Sequence, residues 1–134
     1  MVRIKICGIT RLEDAIGSVR LGADALGFVF HPKSPRYISP EKAWKIISKL
    51  PPFVVTVGVF VNPTPDLVHE SLLKFGVNII QLHGDEPPEL CRSLNGRVVK
   101  AIRVRKSQNI DIMKEYGVPG FLLDTYSEGA YGGT

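Results

Sequence analysis

Very little in this chain commits it to a special class of protein. Two of its 134 residues are cysteine, and Cys7 and Cys91 sit in unlike contexts with no C-x-x-C spacing. A disulfide framework is therefore not expected, and a reducing cytoplasm is the natural compartment. No apolar run reaches the roughly 18 residues that a membrane span needs. The opening MVRIKICGIT lacks the apolar stretch of a signal peptide. Runs of five or more basic residues are missing, and so is any arginine–aromatic ladder, so nothing marks a nucleic-acid surface. Neither G-x-G-x-x-G nor G-x-x-x-x-G-K-[ST] occurs, which leaves nucleotide folds without motif support. The three histidines, His31, His69 and His83, show no H-x-H or H-E-x-x-H spacing. Only Cys7, His83 and Asp124 could converge, and no metal is expected.

What remains is an ordinary globular composition. Hydrophobic residues make up 44% and charged residues 22%, enough for one domain with a real core. Lys and Arg number 17 against 13 Asp and Glu, a net +4. This mild bias suits a small anionic substrate, or weakly a nucleic acid, and decides for neither.

Strand-like apolar runs recur along the chain: RIKICGI (3–9), ALGFVF (25–30), FVVTVGVFV (53–61), one within VNIIQLHG (77–84), one at 97–104 and PGFLLDT (119–125). Helical segments separate them. The first starts at Thr10 with Glu13 as a capping box, stops at Gly22, and could turn Ala15, Val19 and Ala23 inward. Ser39 and Pro40 open a second, to about Leu50, after a loop broken by Pro32 and Pro35. Thr64 and Pro65 open a third, ending at Gly76. Asp85–Leu94 makes a fourth, and IDIMKEYG contains a fifth. Strands start near residues 4, 25, 54, 78, 98 and 120, a repeat of 20 to 29 residues. That is a βα unit of minimal size, whose strands should be parallel with helices outside. An open doubly wound sheet and part of an eight-stranded barrel both accept six such units, and their regularity favours the barrel. A full barrel usually takes about 200 residues or more.

Side chains alternate along a strand with period two. Lys5 and Cys7 share one face of the first strand, Gln81 and His83 of the fourth, Ala101 and Arg103 of the fifth, Leu122 and Asp124 of the sixth. The polar members fall late in each strand, at the end where barrel active sites lie. Each has a plain structural alternative. Cysteine packs as a small hydrophobe, which suffices for Cys91 and could for Cys7. His83 could be a satisfied core histidine, and Lys33 and Arg36 a solvated pair. Asp124 is harder to set aside, because a carboxylate ending the apolar run FLLD is costly without a partner. Arg36 could instead reach over the strand ends to grip a carboxylate. The closing GGT offers backbone N–H groups to an anion, which makes Gly132 and Gly133 substrate-binding candidates.

KICGIT (5–10), GFVFHPKSPRYI (27–38), VGVFVN (57–62), QLHGDE (81–86) and LLDTYSEGAYGGT (122–134) stand in order at successive strand ends. On these stretches the whole chain resembles phosphoribosylanthranilate isomerases of tryptophan biosynthesis. The resemblance implies a (βα)8 barrel without a cofactor and an Amadori rearrangement of an aminoaldose phosphate to an aminoketose phosphate. It implies Cys7 as general base, Asp124 as general acid, Arg36 on the anthranilate carboxylate, and His83 lining the site. Family members continue past GGT with a sixth helix and two further βα units that carry much of the phosphate site. The expectation is thus a barrel truncated after its sixth strand. Its partners would be a phosphosugar–anthranilate substrate and either further copies of itself or a complementing C-terminal polypeptide. Two other readings stand beside it: a non-catalytic barrel fragment that needs partner strands, and another phosphosugar-binding barrel enzyme.

Overall fold

Strand and helix alternate throughout the described residues. The computed structural model describes residues 1–94, 97–105, 111–126 and 128. The strands are β1 (Lys5–Cys7), β2 (Ala25–Val29), β3 (Val55–Phe60), β4 (Ile79–Leu82), β5 (Arg97–Val104) and β6 (Gly120–Thr125). The helices are α1 (Leu12–Arg20), α2 (Pro40–Ile47), α3 (Pro65–Lys74), α4 (Pro88–Ser93) and α5 (Met113–Tyr116).

All six strands are parallel and lie side by side in chain order. A doubly wound sheet reverses direction partway across and breaks that order. The sequential order is that of a barrel wall, here six strands wide. The register places Cys7 opposite Gly27, Phe60 opposite Leu82, and Arg103 opposite Asp124.

The wall has two apolar sides because strand side chains alternate. Leu26, Phe28, Ile80, Leu82, Val98 and Ile102 point outward and pack with Ala15, Ala43, Ile46, Val68 and Cys91 under the helices. Val29, Val57 and Val59 point inward, flanked by Cys7, Ala25, Val55 and Ile79. Each large apolar side chain fully buried in this way contributes about 1.5–3 kcal/mol. Ile4 and Ile6 have the outward parity expected of them, yet remain 50% and 41% exposed. The helix following β1 packs over β2 and leaves them uncovered.

Two helix starts follow the expected chemistry. Ser39 Oγ accepts from Lys42 N–H and Thr64 Oγ1 from Leu67 N–H, each ahead of a proline in the first turn. The capping box at Thr10 does not form. Arg11 is the residue before α1, with no side-chain cap, and Glu13 lies 3.6 Å from Arg11 on the surface. Ala23 packs at the core edge, but beyond the end of α1. The fourth helix begins at Pro88, three residues later than Asp85, because Glu86 turns inward to a buried partner instead of joining a helix.

Candidate active site

Two glycines shape the end of β1 within KICGIT. Gly8 follows the last residue of β1 with φ +86°, so the chain turns sharply and both Gly8 N–H and Ile9 N–H donate to Gly27 O at 2.9 Å. A Cβ on Gly8 would lie 2.6 Å from Arg36 Cδ. Glycine here is what lets Arg36, from the loop after β2, lie across the end of β1. Its Nη1 donates to Cys7 O at 2.9 Å. Gly27 plays the matching part on the neighbouring strand, since a Cβ there would stand 2.8 Å from Cys7 Sγ. The thiol thus occupies space that β2 vacates.

From Cys7 the inner face carries polar groups around the wall. Lys5 Nζ donates to Gln81 Oε1. Gln81 Nε2 meets His83 Nδ1 at 2.8 Å, and His83 Nε2 meets Asp124 Oδ2 at 2.8 Å. Asp124 Oδ1 accepts from Thr125 N–H at 2.9 Å. Gln81 and His83 are buried, at 3% and 7% exposure, so a chain of hydrogen bonds joins β1, β4 and β6 through the interior. Burial pushes the Lys5 ammonium below the ordinary lysine range, and the neighbouring Cys7 opposes that shift. Arg103, on the inner face of β5, pairs with Asp85 in the loop after β4.

The structure brings Cys7, His83, Asp124 and Arg36 to one end of one face, as strand parity implies. Cys91 lies on the opposite side of the sheet, 2% exposed, where burial pushes its thiol up. That is the setting of an inert core cysteine. Gly132 and Gly133 lie outside the described residues. Among the described residues, no three His, Cys, Asp or Glu side chains converge to hold a metal ion, and no helix is long and apolar enough to cross a membrane.

Sequence reasoning missed a second cluster beneath the site. Glu86 and Lys100 form an ion pair at 2.8 Å with side chains 0% and 2% exposed. Lys100 Nζ also donates to Gly84 O at 2.7 Å. Glu86 accepts from Asn62 N–H at 2.9 Å and from Gly84 N–H at 3.0 Å. Asn62, with φ 46°, accepts from Asp85 N–H through its side chain at 2.9 Å. One carboxylate therefore ties the loop after β3 to the loop after β4, the segment that follows His83. The available signal was Lys100 itself, a charged residue at an outward position of an otherwise apolar strand.

Residues 4–134 match the family model described as N-(5'-phosphoribosyl)anthranilate (PRA) isomerase. The chain is 54% identical over its full length to the N-(5'-phosphoribosyl)anthranilate isomerase of Geobacter sulfurreducens and spans 66% of that protein. Its fold superposes on the crystal structure of phosphoribosyl anthranilate isomerase from Thermotoga maritima with a TM-score of 0.92. There the identity is 50%, over all of this chain and 66% of the other. A second such isomerase structure holds reduced 1-(o-carboxyphenylamino)-1-deoxyribulose 5-phosphate. It matches with a TM-score of 0.89 at 52% identity, over 95% of this chain and 66% of the other. The chain thus spans just under two thirds of the length of these relatives.

Proposed function

The chain belongs to the N-(5'-phosphoribosyl)anthranilate isomerase family, and from there we propose that its inner-face residues serve the Amadori rearrangement of N-(5-phosphoribosyl)anthranilate to 1-(2-carboxyphenylamino)-1-deoxyribulose 5-phosphate. The supporting observation is the placement of Cys7 and Asp124 at the same end of the inner face, on strands one and six. Asp124 gives a proton to the furanose oxygen as the ring C–O bond breaks and the anilino nitrogen's lone pair forms an imine. The imine acidifies the proton on the neighbouring carbon. Cys7, as thiolate, removes it and leaves an enolamine, which tautomerises to the ketone. No external oxidant or reductant is needed, because one sugar carbon is reduced as its neighbour is oxidised to the ketone, and the proton given by the acid is balanced by the one taken by the base. A free thiol in this role suits a reducing compartment.

Arg36 is assigned to the anthranilate carboxylate. It is an exposed loop cation held over the end of β1, with the planar donor fork that such a group fits. Arg36→Ala should raise KM for the anthranilate-bearing substrate several-fold while kcat changes little. Gly8→Ala should act in the same direction, because its methyl group would displace the Arg36 side chain. Steady-state kinetics decide this, and a loss confined to kcat would speak against the clamp.

The reading is tested by following loss of anthranilate-sugar fluorescence with two samples. One is the polypeptide 1–134 alone; the other is supplemented with a polypeptide carrying the further βα units of a family member. Among the described residues β1 and β6 each have one sheet partner, so water reaches the inner face and weakens its charge interactions. The lone chain should be nearly inactive as a monomer, and the supplemented sample should turn over substrate. No turnover in either would sink the proposed reaction. Strong activity in a monomer peak of the lone chain would mean that six strands suffice.

A further inference from the structure

The hydrogen-bond chain from Lys5 to Asp124 has a direction. An ammonium has donors only, so Gln81 must turn its carbonyl oxygen to Lys5. The Gln81 amide nitrogen then faces His83, and Nδ1 of that ring must accept. A neutral imidazole that accepts at Nδ1 carries its proton at Nε2, which lies 2.8 Å from Asp124 Oδ2. Turning the Gln81 amide over would set an NH2 group against the ammonium and leave the part-buried Lys5 and the buried Gln81 NH2 without their acceptor, which is costly.

The same chain limits where a further proton can go. An imidazolium needs an acceptor at both nitrogens, and the Gln81 side chain offers His83 Nδ1 only a donor. Among the described residues, the other charged or titratable groups at this face are Lys5 and Cys7 from β1, Arg103 from β5 with its partner Asp85, Arg105 and Tyr126 stacked beside Arg103, and Asp124 from β6. Of these only Asp124 has an acceptor at the ring.

We propose that Lys5 and Gln81 are positioning residues that hold His83 as a neutral imidazole protonated at Nε2, so that Asp124, and not His83, carries the acid proton that is given to the furanose oxygen. This rests on the reading of Asp124 as the acid, but the state of His83 can be measured without any reaction. The lock uses the charge on Lys5. When pH rises through the lysine's lowered pKa, the neutral amine gains a lone pair, Gln81 can turn over, and the Nε2–H preference should fade.

The test is nitrogen NMR of histidine-labelled protein in the supplemented preparation without substrate. His83 is one of three histidines and is assigned by His83→Asn. The expected spectrum at neutral pH shows His83 with Nε2 protonated and Nδ1 bare. Gln81→Glu supplies Nδ1 with an acceptor, so imidazolium should persist to higher pH than in the unsubstituted protein. Lys5→Met should give mixed tautomers and lower kcat by at least about 10-fold, less than the roughly 10⁴-fold seen when a catalytic imidazole is held in the wrong tautomer. Lys5→Arg, which keeps a donor-only cation, should restore the Nε2–H form. A proton on Nδ1 in the unsubstituted protein overturns the proposal without any variant having to fold. An unchanged tautomer in a folded Lys5→Met protein overturns it as well. Absence of isomerase turnover, with the NMR result as expected, would count against the proposed reaction and not against the lock.

Discussion

Replacing Cys7 with serine should lower turnover by at least about 100-fold, the scale on which a general base contributes. The substitution keeps the shape of a side chain that fits against Gly27 with no room to spare. A change in rate therefore reports on chemistry and not on packing. A serine hydroxyl gives up its proton far less readily than a thiol, so little of the basic form exists near neutral pH. KM should move little, because the thiol is assigned to proton removal and not to holding the substrate. Single-turnover kinetics in the supplemented preparation give the chemical step directly. A serine variant with near-normal turnover would remove Cys7 from the mechanism and leave the Lys5–Asp124 chain as the place to look for the base.

Lys100→Met should cost about 3–5 kcal/mol of stability, the penalty for leaving a buried charge without its partner. Methionine fills the space of the lysine stem, so the loss is not a cavity effect. What remains is the Glu86 carboxylate, fully buried, with backbone N–H groups from Asn62 and Gly84 and no cation. Denaturant midpoints read the cost. Adding Glu86→Gln to Lys100→Met should recover part of it, because the amide keeps an acceptor for the backbone donors and carries no charge. That double variant separates the ion pair from the backbone tie. The loops after β3 and β4 should also loosen, which amide exchange at Asn62, Gly84 and Asp85 would register. A loss below about 1 kcal/mol would mean that the two backbone donors are enough to hold the carboxylate.

The architecture was legible because its signals are local. Apolar runs at nearly equal spacing, punctuated by Ser39–Pro40, Thr64–Pro65 and Gly76, demand parallel strands with helices between them. The period of two is a property of the extended backbone itself. It placed Lys5, Cys7, Gln81, His83, Arg103 and Asp124 on one face before any partner was known. The Thr10 capping box failed because a cap depends on which residue the chain puts outside the helix. The turn at Gly8, itself set by the bond to Gly27 O on another strand, brings the chain into α1 one residue later.

Which inner-face groups touch was settled only by the tertiary structure. Lys5 and Gln81 are 76 residues apart and His83 and Asp124 are 41 apart, and no spacing rule links such pairs. The wall brings them together because strands in register share one row of side chains. The burial of Lys100 was equally beyond the sequence. Strand parity turns it outward into an apolar layer, and it is tolerated there only because Glu86 leaves the helix pattern to meet it. Gly27 offers the plainest contrast. Its identity is written in the chain, but the reason for it is the sulfur of Cys7 on the next strand, a distance that exists only once β1 and β2 have paired.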